Sequence, residues 1–92
     1  MRISFDQNKN ERNIVERSLP FEMVAEFEFK TAHIQSDSRR DYGETRYVAI
    51  GKLRGRLHVL CFAETPDGIR VISLRKANDR EVKRHAETKA PD

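Results

Sequence analysis

Arginine is the residue type best placed to do chemistry in this sequence. Arg39, Arg40, Arg46, Arg56, Arg70, Arg75, Arg80 and Arg84, together with Lys76, crowd into residues 39–84. A guanidinium carries its N–H donors in a rigid fork and stays charged, so it matches phosphate oxygens two at a time. The charge is also segregated. Residues 1–38 are net −2, residues 39–58 net +4, residues 59–68 net −2 and residues 69–92 net +3. That asymmetry suits a polyanion or an acidic partner surface. On composition alone, a solvated charged surface explains it equally well.

Other chemistries lack their residues. His33, His58 and His85 are far apart and no two stand at helical ligand spacing, so neither a zinc site nor any other metal is expected. His58 sits in an apolar run and reads as a satisfied core or edge histidine. The single cysteine, Cys61, lies in the same run, cannot form an intrachain disulfide and reads as a small apolar side chain. The four glycines all look like turn residues, so no phosphate-cradling loop is expected, and no cofactor.

RNA can be cut with arginines and no metal. The 2′-hydroxyl attacks the neighbouring phosphorus, and a phosphorane with extra negative charge forms. The reaction needs a base for the 2′-hydroxyl, cations for that charge and an acid for the leaving 5′-oxygen. Arginine serves the second role well and the first badly, because it does not deprotonate. Glu44, Asp41, Lys76 and His85 are the proton-transfer candidates. This reading makes Glu44, Arg46, Arg75, Lys76 and His85 catalytic, and Arg39, Arg40, Arg70 and Arg80 RNA-binding. Two plainer readings compete with it. Arg46 could pair with Glu44 or Asp41 merely to order a loop, and Arg75 could make a helix-capping or strand-end contact. The scarcity of an obvious general base also leaves open a function of another class, a non-catalytic RNA- or protein-binding module.

The elements that must position these residues follow from the pattern. Ile3-Ser4-Phe5 alternates as a short strand, and Asp6 stands where a helix N-cap belongs, before helix formers at 7–17. Pro20 suits the first turn of a second helix, with Phe21, Val24, Ala25 and Phe27 or Phe29 as its apolar stripe. Residues 31–34 form a possible short strand, and 35–45 a polar loop. Strand-like runs at 46–50, 57–62 and 69–74 are joined by Arg54-Gly55 and by Pro66-Asp67-Gly68, which predicts an antiparallel meander. In a meander the first and third strands run parallel, so Arg46 and Arg75 belong to opposite ends of the sheet. Asn78 can cap a last helix at 79–87. The expectation is an α+β domain over residues 1–88, with two helices on one face of the sheet and a frayed tail from 89 to 92. No apolar run is long enough to span a bilayer, and no signal segment stands at the start, so a cytoplasmic protein without membrane contact is expected.

Three stretches carry a family resemblance. The first is Phe5-Asp6-Gln7-Asn8-Lys9-Asn10, with Asn13 and Leu19-Pro20-Phe21-Glu22; the second is Asp37 to Arg46, followed by Ala49-Ile50-Gly51. The third is Arg70-Val71-Ile72-Ser73-Leu74-Arg75-Lys76-Ala77, with Glu81 in the helix behind it. In this order they resemble the BrnT toxins, the last stretch being the most recognisable. The resemblance implies a RelE-like two-layer fold, a ribonuclease that inhibits translation, and a ribbon-helix-helix antitoxin of the BrnA type. It also implies that operator DNA is reached only through that antitoxin. Two positions depart from the family pattern: Ser18 stands where a helix-ending glycine is usual, and His85 near a usual tyrosine.

Overall fold

The computed structural model describes residues 1–89. The chain runs β1 (Arg2–Phe5), α1 (Gln7–Arg17), two short 3₁₀ segments (Phe21–Glu26 and Phe29–Thr31), β2 (His33–Asp37), β3 (Arg46–Leu53), β4 (Arg56–Thr65), β5 (Gly68–Lys76) and α2 (Asp79–Lys89). The strands form one sheet in the order β1-β5-β4-β3-β2. β1 pairs with β5 in parallel, and every other pairing is antiparallel. The architecture is α+β, as expected, but the sheet is mixed and larger than the three-stranded meander. The polar segment after Ile34 lengthens β2 to Asp37, because its residues pair in register with β3 from His33–Ile50 to Asp37–Arg46.

The second helix is a correction. Residues 21–26 and 29–31 wind as 3₁₀ turns rather than one α-helix. Phe21, Val24 and Phe27 are spaced by three, which aligns them on one side of a helix with three residues per turn. All three are buried while Ala25 is exposed, so Ala25 leaves the expected stripe. These three side chains join Leu19, Ala49, Leu53, Leu60, Phe62, Ile69, Val71 and Leu74 in the core on one face of the sheet. Each such large side chain contributes roughly 1.5–3 kcal/mol by leaving water.

α1 starts as expected, with the Asp6 carboxylate accepting from the Asn8 and Lys9 amides at 2.8 and 3.4 Å. It docks through polar residues. Asn13 donates to the carbonyls of Leu19 and Leu74 at 2.8 and 3.0 Å, and Asn10 accepts from the Phe21 amide at 2.8 Å. Leu74 lies beyond the part of β5 that β1 pairs, so Asn13 satisfies a sheet-edge carbonyl where β1 has ended. Ile14 and Val15 stay at the surface, at 40% and 84% exposure. The helix ends on Ser18 with φ +57°, the left-handed conformation that glycine adopts at lower cost.

The β3–β4 turn has φ +52° at Arg54 and +78° at Gly55, the two positive values of a type I′ hairpin. α2 carries a reciprocal capping box. The Glu81 amide donates to Asn78 Oδ1 at 2.8 Å, and the Asn78 amide donates to a Glu81 carboxylate oxygen at 2.9 Å. The helix runs past the expected end at Glu87 to Lys89, so the tail expected to fray from residue 89 is helical at its first residue, and positions 90–92 lie outside the described residues.

Candidate functional site

Strand alternation sorts the sheet into two faces. The register stacks Ala49, Leu60 and Leu74 on the core face. The opposite face then carries three rows across the strands. The first is Asp37, Arg46, Ala63 and Arg70; the second is Gln35, Val48, Cys61 and Ser73; the third is His33, Ile50, Val59 and Arg75. Four residues of strand separate the first and third rows on β3, roughly 13 Å. Arg46 and Arg75 therefore do sit at opposite ends.

At the first row the loop after β2 folds an arginine cluster together. Glu44 accepts from Arg46 Nε at 3.1 Å and from an Arg70 guanidinium nitrogen. The Arg46 guanidinium lies over the Tyr42 ring at 4.1 Å and that of Arg40 at 5.7 Å, both within cation–π range. Tyr42 donates its hydroxyl to Asp37 at 3.2 Å, and Arg39 grips the same carboxylate with two bonds of 2.8 Å. The Asp37 side chain is only 2% exposed, and the Arg39 fork holds its carboxyl well below the usual range. Arg70 first and Arg46 second lower the Glu44 pKa as well. Glu44 is therefore a weak base while both guanidinia hold it. Asp41 accepts from the Gly43 amide at 2.9 Å, where φ of +72° makes a tight turn. The pairing of Arg46 with Glu44, considered as a loop-ordering contact, is formed.

At the third row Arg75 makes a two-pronged pair with Glu81, at 2.8 and 2.9 Å. This ties Arg75 to a residue of the capping box, and its Nη1 also donates to the Lys76 carbonyl at 3.4 Å, the strand-end contact of the plainer reading. That pair, aided by the Asn78 amide, brings Glu81 down to about 2 and raises Arg75. Arg75 and Lys76 line one groove with Arg17 and Leu19, about 300 Å³ in volume, between the end of α1 and the end of β5. A second cavity, of about 330 Å³, is lined by His33, Gln35, Ile50, Glu81, Arg84 and His85. Arg80 is exposed in the first turn of α2.

The predicted site residues therefore fall into two groups. Arg39, Arg40, Glu44, Arg46 and Arg70 gather at one end of the open face, while Arg75 and His85 stand at the other; Lys76 alternates to the face of Leu74 and meets Arg75 only in the groove beside the end of α1. His33, Arg17, Tyr42 and Asp37 were not among them. Period-two alternation through 33–37 could have placed His33 and Asp37 on the arginine face. Arg17 is brought in only by the docking of α1. His58 is buried at 4%, with its Nδ1 2.8 Å from the Arg56 carbonyl, as a satisfied core histidine should be. Burial pushes the Cys61 thiol up, in keeping with an inert side chain.

The family model for the BrnT ribonuclease toxin of type II toxin-antitoxin systems matches residues 5–81. The chain belongs to that family. Among curated proteins, none matches it. A BrnT toxin is by that description a ribonuclease with an antitoxin, so RNA is its substrate class and a protein antitoxin its partner. The BrnT match takes in both arginine groups, Glu44 and the Arg75–Glu81 pair, and stops short of Arg84 and His85. Among the described residues no helix is long and apolar enough to cross a membrane.

Proposed function

We propose that this BrnT chain cuts RNA without a metal, by attack of the substrate's own 2′-hydroxyl, and thereby inhibits translation. The observation that carries the reading is one ion pair that links the linings of two hollows. Arg75 lines the groove with Arg17 and Lys76, and its ion-pair partner Glu81 lines the cavity with His85. A phosphodiester there meets cations on one side and an imidazole on the other. Arg75 and Lys76 offset the charge that builds on the phosphorane. His85 exchanges a proton with the reacting oxygens. Arg46, Arg70, Arg39 and Arg40 hold phosphates further along the strand, and Arg80 adds a contact from α2. Glu44 is the second proton-transfer candidate. It gains basicity only when a bound phosphate draws Arg46 and Arg70 away from it.

The same reading takes the domain as RelE-like and the toxin as cytoplasmic. It takes the antitoxin as a ribbon-helix-helix protein of the BrnA type, through which alone operator DNA is bound. The resemblance of the three sequence blocks supports these points, and co-purification of the toxin with the product of a neighbouring reading frame tests the partner.

Incubation of pure protein with single-stranded RNA in excess EDTA tests the activity. Fragments ending in 2′,3′-cyclic phosphate are expected. Intact RNA at large protein excess, with salt-sensitive binding retained, would establish the non-catalytic module instead. Cleavage that disappears only on chelation would overturn the metal-free reaction.

A further inference from the structure

We infer that His33 is the partner of His85 in a two-histidine acid–base pair, the cavity between β2 and α2 being the seat of proton transfer. The inference rests on the ribonuclease reading and adds to it a residue that no sequence motif pointed out. His33 opens β2, at the sheet edge, and projects to the open face opposite Ile50. His85 lies on α2, and the two imidazoles line one cavity with Glu81, Arg84, Gln35 and Ile50. They come from elements 52 positions apart in the chain, brought together only by the fold. The cavity, about 330 Å³, is at the lower end of the range of ligand sites, a size for a phosphodiester with part of its sugars.

The chemistry of the lining leaves this role to the imidazoles. Glu81 is held anionic by Arg75 and locked in the capping box, so it neither gives nor takes a proton near neutrality. Gln35 and Ile50 do not titrate. Arg84 supplies positive charge next to Glu81 and cannot act as a base. Imidazole is left as the side-chain type in this lining that can act both as base and as acid.

One neutral imidazole takes the proton of the 2′-hydroxyl as the 2′-oxygen bonds to phosphorus. The other, as imidazolium, gives its proton to the 5′-oxygen as the bond from phosphorus to that oxygen breaks. The products are a 2′,3′-cyclic phosphate and a free 5′-hydroxyl. One proton is taken up and one released, and no oxidant or further reactant is needed. The charged groups around the pair are Glu81 and Arg84 of α2 and, through Glu81, Arg75 of β5.

The test is the pH profile of RNA cleavage in EDTA for the wild-type protein, His33→Ala and His85→Ala. His33 is exposed on an edge strand, so the fold should survive its loss, and a circular dichroism melt checks this. The wild type should give a bell-shaped profile. Each alanine variant should lose at least a hundredfold in kcat and one limb of the bell, and should recover activity when free imidazole is added. A merely structural histidine would not be rescued in this way. Wild-type activity with undiminished cleavage by His33→Ala would overturn the pair while leaving the ribonuclease reading intact. A wild-type protein that leaves RNA uncut would overturn both.

Discussion

Removing Arg75 separates its two roles, because the same guanidinium that is proposed to meet a phosphate also anchors α2. The magnitude follows from Glu81. Its pKa falls from 4.5 to about 2 in the folded chain, with the Arg75 hydrogen bonds as the first cause. Taken whole, that shift corresponds to roughly 3 kcal/mol at 1.36 kcal/mol per unit. The Asn78 amide and Arg84 supply part of it, and the Arg75 and Glu81 side chains are 40% and 23% exposed. Water and salt therefore screen the pair, and a coupling of about 1–2 kcal/mol is expected. Urea unfolding of the wild type, Arg75→Ala, Glu81→Gln and the double variant at pH 7 measures it as a double-mutant cycle. Each single variant should melt about 4–16 °C lower, at 4–8 °C per kcal/mol for a domain of this size.

The pH dependence has a fixed sign. A carboxylate with a depressed folded pKa stabilises fully above its unfolded value, so the coupling should hold from pH 8 to pH 6. It should then shrink as pH falls from 4.5 through about 2. A coupling under about 0.3 kcal/mol at pH 7, or one that persists unchanged to pH 3, would refute the reasoning. Cleavage must be compared well below the melting point of the weakest variant. There Arg75→Lys keeps the charge and loses the fork, so a loss close to that of Arg75→Ala would mark a two-pronged contact.

Ser18→Gly should raise stability by about 0.5–1 kcal/mol, because φ of +57° strains a side chain by about 1–2 kcal/mol and glycine gives some of this back in unfolded-state entropy; a thermal melt that falls would contradict the left-handed cap. Asn13→Ala should destabilise by about 2–3 kcal/mol in urea, since two buried carbonyls lose their donor and α1 loses its tie to the sheet edge; a change under 0.5 kcal/mol would count against that docking. Arg46→Ala and Arg70→Ala should each flatten the salt dependence of single-stranded RNA binding by about 0.7 in the log–log slope, the value for one phosphate contact; unchanged slopes would show that these guanidinia serve only Glu44.

What the sequence made legible was what is local. The Asp6 and Asn78 caps, the Arg54-Gly55 turn and the three central strands each depend on a few neighbouring residues and were found where expected. The second helix misled because a spacing of three fits both an α stripe and a 3₁₀ turn, and only the exposure of Ala25 separates them. The polar docking of α1 was invisible for a similar reason. A search for apolar periodicity passes over Asn10 and Asn13, although these, and not Ile14 or Val15, are what the helix buries. The site behaved likewise. The arginines were legible as a type, but their partners depend on register. Arg46 and Arg70 converge on Glu44 only because Ala63 sits between them in the sheet. His33 joins His85 only because β2 pairs with β3 at Ile50 while α2 lies over that end.

The charge arrangement has one further consequence for how RNA would be bound. Arg39 holds Asp37, Arg46 and Arg70 share Glu44, and Arg75 holds Glu81. Four of the arginines proposed to meet RNA are therefore already paired within their own chain, four guanidinia to three carboxylates. A phosphate must exchange with a carboxylate at each of them, and one charge-assisted pair replaces another of similar strength. The net gain from a single exchange is small, because what is lost and what is formed nearly cancel. A single phosphate ion thus has little to gain at any one of these sites. A chain of linked phosphates is different, since after the first exchange each later one is intramolecular and is favoured by effective concentration. The carboxylates also hold the guanidinia in place beforehand, so less side-chain entropy is lost on binding. Selection for a polymer over a free ion then follows from arginines whose charge is masked until several phosphates arrive together.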